Sequence, residues 1–93
     1  MWKPQPVDTS HIVLSPEIEA LSEQLARNAH EVWGRQRTRD GWTWGAERND
    51  ARREHPSLVP YDALSDAERE YDRQVAMETV KALIALGAQV RVP

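Results

Sequence analysis

The chain has 93 residues, 40% of them hydrophobic and 29% charged, with a formal net charge of −3 and no cysteine. One domain spanning residues 1–93 with a modest core is what that length allows, and the acidic balance argues against DNA or RNA as a general partner. The missing cysteines exclude disulfides, thiolate metal sites and a cysteine nucleophile together. No apolar run nears the roughly 18 residues of a membrane span, and Met1-Trp2-Lys3-Pro4 lacks the apolar region of a secretory signal. The expectation is a cytoplasmic protein with no membrane partner.

Pro4 and Pro6 make residues 2–9 an extended arm near polyproline II. Trp2, at its mobile end, is expected to dock on the body or on a second chain. Ile12-Val13-Leu14 is a short apolar run before a helix start: Ser15 suits the N-cap, Pro16 the first helical position and Glu17 the positive dipole end. Ile18, Leu21, Leu25, Ala29 and Val32 recur at spacings of three and four, which predicts one amphipathic helix with Trp33 beside its stripe. Gly41 sets its end between Gln36 and Arg39. Trp42 and Trp44 share a face if extended. Arg48 to Glu54 reads as a solvated loop or loose helical turn. Pro56 and Pro60 bracket an irregular crossing that tucks Leu58 and Val59 into the core. Ser65-Asp66-Ala67-Glu68 is a capping box for a second helix. Val75, Ala76, Val80, Leu83, Ile84 and Leu86 supply its buried side, and Gly87 its stop. Gln89 to Val92 alternates and predicts a short edge strand. The fold class is mainly α with α+β margins: two antiparallel helices, each roughly 20 residues and 30 Å long, with short strands and irregular proline-rich segments.

Few residues invite chemistry. His11, His30 and His55 show no metal-ligand spacing, so no metal site is expected; His30 suits a hydrogen bond to a loop carbonyl. Asp8, Thr9, Ser10 and His11 are neighbours in an extended arm and cannot form a triad, which is assembled across a fold. The acids from Asp66 to Asp72 fit a helix start without catalysis. No glycine-rich phosphate cradle is present. The set with chemical promise is Trp33, Arg35, Arg37 and Arg39 with Trp42 and Trp44, a local basic excess in an acidic chain. Indoles beside guanidinium groups suit a nucleotide, whose base stacks while its phosphates pair with arginine. The same residues also read as core aromatics covered by arginine stems.

Several pieces, taken in order, resemble a known family. They are Pro4-Gln5-Pro6-Val7-Asp8-Thr9, Ile12-Val13-Leu14, Leu25-Ala26-Arg27-Asn28-Ala29-His30-Glu31-Val32-Trp33, Gly41-Trp42-Thr43-Trp44-Gly45, His55-Pro56-Ser57-Leu58-Val59-Pro60-Tyr61 and Leu83-Ile84-Ala85-Leu86-Gly87. Together they resemble the RyR domain, found in pairs in ryanodine receptor calcium channels and singly in some bacterial proteins. The resemblance implies two repeats packed about a pseudo-twofold axis, with a cleft that can hold an adenine nucleotide. It places the tryptophan of an Asn-x-His-x-x-Trp stretch, here Asn28, His30 and Trp33, against that ligand. The family's arginine four residues on is Arg37, whereas Arg35 and Arg39 depart from its pattern; Trp42, Trp44, Pro56 and Tyr61 are read as fold residues. The expected binding residues are therefore Trp33, Arg37, His30, Asn28 and Arg35. A lone repeat leaves half of the paired surface open, so a homodimer is expected to rebuild the cleft. The expected function is a non-enzymatic binding module sensing a nucleotide or nucleotide-derived ligand, with no resident cofactor. The alternative is a protein-interaction module that grips its partner with Trp2 and the arm. An enzyme ranks last, because nothing supplies a nucleophile or a metal.

Overall fold

The computed structural model describes residues 1–93. The order of elements is α1 (Pro16–Glu19), α2 (Ser22–Arg39), β1 (Thr43–Trp44), β2 (Glu54–His55), a 3-10 turn (Tyr61–Ala63) and α3 (Asp66–Ala85). Ser15 caps α1 by accepting from the Ile18 N–H at 3.3 Å, and Pro16 takes the first turn. The single long opening helix expected from the sequence is instead two. Ala20 and Leu21 interrupt it, and the Leu21 N–H turns back to the Ile18 carbonyl at 3.0 Å in a tighter, three-residue closure.

That break rotates the buried face. Ile18 and, in α2, Ala26 and His30 are the buried positions, while Ala29, placed on the expected stripe, is exposed. The face that packs inward runs through Ala26, His30, Trp33 and Arg37, one turn apart, and is not purely apolar. Of the expected stripe, Ile18 is buried, Leu21, Leu25 and Val32 are half-buried and Ala29 alone is exposed; periodicity counted apolar residues only and so left out His30 and Arg37.

The capping box forms as expected: Ser65 Oγ accepts from the Glu68 N–H at 3.2 Å, while the Ser65 N–H donates to Glu68 Oε1 at 3.3 Å. α3 then runs back along α2. Ser22 shares a groove with Met77 and Lys81, and Trp33 shares one with Glu68, so the helices are antiparallel. Ala26, Tyr61 and Leu64 form the centre of the core, with Val59 packed on them. Leu58 is half-buried. β1 and β2 pair in parallel, Thr43 with Glu54 and Trp44 with His55. The loop between them is pinched by an antiparallel bridge from Asn49 to Glu54. Gly45 is needed at the crossing, since a Cβ there would lie 2.6 Å from that of Glu54.

Three further expectations are corrected. Residues 89–92 form no strand; the sheet consists of β1 and β2 alone. Of the two places expected for Trp2, its own body is excluded: it is 83% exposed, while the arm is tied to α3 by the Thr9 hydroxyl, which donates to Glu78 at 2.6 Å. Trp44, read as a fold residue, is 57% exposed; both residues of β1 are exposed. No helix is long and apolar enough to cross a membrane.

Only seven of the 93 residues are buried, so the core is thin even for a small domain. None of the twenty residues of α3 is among them.

Candidate functional site

The end of α2 builds the site. The Gly41 N–H donates to the Thr38 carbonyl and the Trp42 N–H to the Arg37 carbonyl, each at 3.0 Å. This is the Schellman arrangement, and it requires the positive φ of 87° found at Gly41. It folds Trp42 back over the last turn. There the Arg37 guanidinium carbon lies 5.0 Å from the Trp42 ring centre and 5.8 Å from that of Trp33. Arg37 makes cation–π contacts with both indoles and has no carboxylate partner.

Two histidines hold the Trp33 ring. His30 stacks on it at 5.6 Å and 26°, and its Nε2 donates to the Val59 carbonyl at 2.7 Å. His55 meets it edge-on at 5.1 Å and 74°. The His55 Nδ1 accepts from the Ser57 N–H at 3.0 Å, which places the proton of the neutral ring on Nε2. Burial lowers the His55 pKa, and the positive charges of Arg48 and Arg37 lower it further. The indole of Trp33 is half-buried: its own chain covers part of it, and the rest borders a cleft.

The cleft encloses about 220 Å³ and is lined by His30, Trp33, His55, Ser57, Leu64, Glu68, Tyr71 and Asp72. Its two carboxylates differ. Hydrogen bonds donated by the Ser57 and Ser65 hydroxyls, at 2.6 and 2.9 Å, hold Glu68 below its ordinary value. Burial pushes Asp72 up. One acid is thus fixed as the anion while its neighbour a turn away is driven toward the neutral form.

A second hollow, a groove of about 770 Å³, lies on the other side of His30. Glu31, Gly34, Arg35, Thr38 and Arg39 form its helical wall, and Trp42 and Trp44 face them. Arg35 and Arg39 have no ion-pair partner, and a Cβ built on Gly34 would meet nothing within 4 Å.

The structure therefore divides the five residues expected to bind. Trp33 and His30 share the cleft. Arg37 lies against the Trp33 ring but does not line the cleft. Arg35 faces the groove on the opposite side, and Asn28 is exposed and lines neither. His55, Glu68, Tyr71 and Asp72 were not expected here. Their link to Trp33 spans 22 residues or more, and no local spacing signals it. No group of three or more His, Asp or Glu side chains is arranged to hold a metal ion.

Fold and site together define a small, mainly helical module: two antiparallel helices closed by a cluster of indoles and imidazoles, with an open cleft beside one indole. The RyR domain family model matches residues 2–92, nearly the whole chain, and the protein belongs to that family.

Proposed function

We propose that this protein is a non-enzymatic RyR-type binding module that works as a homodimer and receives a nucleotide or nucleotide-derived ligand in the cleft at Trp33. The observation that carries the reading is the Trp33 indole, fixed by two imidazoles, open on one side and overlain by an unpaired guanidinium. A base stacks on the ring, an interaction worth about 1–3 kcal/mol in other aromatic–base contacts. Arg37, 5.8 Å from the Trp33 ring centre, is the cation this reading assigns to a phosphate. The Glu68 carboxylate suits the exocyclic amine of adenine or a ribose hydroxyl. At about 220 Å³ the cleft is below the roughly 300–1,000 Å³ usual for small-molecule sites, which supports a site completed by a second copy.

Titration with AMP and ATP, followed by tryptophan fluorescence, tests the ligand clause. Saturable quenching that disappears in Trp33→Phe supports it. An unchanged signal up to millimolar nucleotide removes it.

A second reading, an interaction module without a small ligand, draws on the arm. Trp2, Val7 and Val13 are all exposed, and a tryptophan left in water is a natural anchor. Deleting residues 1–7 separates the readings. Loss of partner capture with nucleotide binding intact favours the arm.

A further inference from the structure

The exposed indole of Trp44 stands across a trough from two arginines that no carboxylate of the chain satisfies. The trough is the groove of about 770 Å³ on the far side of His30. It adjoins a hollow of about 580 Å³, with which it shares Arg39 and Trp42 and which is closed by Arg53. Arg35, Arg39 and Arg53 therefore follow one another along one feature. Arg27, Arg48, Arg52, Arg69 and Arg73 are each matched to an acid within the chain, whereas these three are in no ion pair. Arg53 is held at a φ of 53°, a left-handed conformation uncommon for a residue with a side chain. Its guanidinium donates to the Asp40 carbonyl at 2.8 Å, which fixes it beside the end of α2. The acids of the trough, Glu31 and Asp40, stand at its two ends.

The spacing of the arginines selects the occupant. Arg35 and Arg39 are about one helical turn apart, roughly 6 Å along the axis. In an extended chain, residues i and i+2 lie about 6.6 Å apart and point to one side, while the residue between them points to the other. An extended segment laid along α2 with acids at i and i+2 therefore sets one carboxylate on each arginine. Its middle side chain turns toward Trp44, Leu58 and Pro60, which line the trough with Arg35 and Arg39 and suit an apolar group. Gly34 leaves room for the segment, since a Cβ built there would meet nothing within 4 Å.

We propose that this trough is a docking site for an extended acidic segment of another protein, of the form acid–apolar–acid, with its carboxylates on Arg35 and Arg39 and its apolar side chain on Trp44. A nucleic acid strand is a poorer match, because the net charge of −3 repels a long polyanion while a short segment meets only the local arginines. The site lies across His30 from the Trp33 cleft and does not depend on a nucleotide bound there.

NMR titration of the full chain at low salt with an end-blocked Gly-Gly-Glu-Leu-Glu-Gly-Gly peptide, up to millimolar, tests it. The indole N–H signals of Trp44 and Trp42 should move saturably while that of Trp33 stays still. Affinity should fall about two- to fivefold in Arg35→Gln and in Arg39→Gln, as for exposed ion pairs, and should fall again as salt is raised. Gly34→Leu keeps every charge and fills the trough from the helix side. It should abolish binding with helical circular dichroism unchanged. No binding, or wild-type affinity in Gly34→Leu or in both arginine variants, overturns the proposal. So does a Gly-Gly-Glu-Gly-Glu-Gly-Gly control that binds equally well, or an oligothymidylate that competes as strongly as the peptide. AMP is titrated separately and read at Trp33, so failure of the nucleotide reading and failure of this site are told apart.

Discussion

Replacing Gly34 by alanine should stabilise the protein, although the change lies in the middle of a helix and on the wall of the arginine-lined groove. Gly34 is the thirteenth residue of the eighteen in α2. A glycine in such a position costs about 0.8–1.0 kcal/mol relative to alanine through backbone entropy. Nothing offsets a gain on substitution, since the added methyl group meets no atom within 4 Å. For a chain of this size the gain corresponds to a rise in Tm of about 4–8 °C, read by thermal circular dichroism. Gly45→Ala is the matched control and should move the other way. Its Cβ would approach that of Glu54 to 2.6 Å, and overpacking of this kind costs about 1–3 kcal/mol. An unchanged or lower Tm in Gly34→Ala would refute both the open wall and the continuity of α2 through that turn.

Other expectations follow from single contacts. Tyr61 is the one large side chain that is fully buried; its hydroxyl makes no hydrogen bond of ordinary geometry, although the Glu23 carboxylate lies beside it. Tyr61→Phe should raise chemical stability by about 1 kcal/mol, and a loss of that size in urea unfolding would mean the hydroxyl is satisfied. Ser65→Ala removes half of the capping box and should cost about 1 kcal/mol, measured the same way; no change would show that α3 does not depend on its cap. The folded pKa of His55 lies below its ordinary value of 6.5, so the unfolded chain binds its proton first. Its contribution is complete above that value and is lost as pH falls through the folded value. Stability should decline on acidification below pH 6.5 and decline less in His55→Gln; a wild type insensitive to pH there would contradict the packing of His55 between Trp33 and Trp42.

The parts of this fold written in local chemistry were legible in the sequence. Ser15, Ser65 with Glu68, Gly41 and Gly87 each act within a turn of themselves, and each ends or starts a helix where expected. The break at Ala20 and Leu21 was not, because both residues are good helix formers and no glycine or proline marks it. The buried face of α2 was read only in part. His30 and Arg37 point inward because Val59 and Trp42 give them partners, and an apolar count ignores residues satisfied in that way. At the site, the Asn28–His30–Trp33 stretch directed attention to the right indole. The stretch did not reveal that Asn28 faces solvent, that Arg35 lies across the helix, or that His55 and Tyr71 arrive from distant segments.

The four indole N–H signals of a ¹⁵N-labelled sample, followed by NMR during AMP addition, test the placement of the ligand most directly. Each is assigned by its own Trp→Phe variant. A site in the cleft requires the Trp33 signal to move first and furthest, with Trp2 still. Movement of Trp42 and Trp44 with Trp33 unmoved would put the ligand in the arginine-lined groove instead, and four unmoved signals would leave the cleft without a nucleotide.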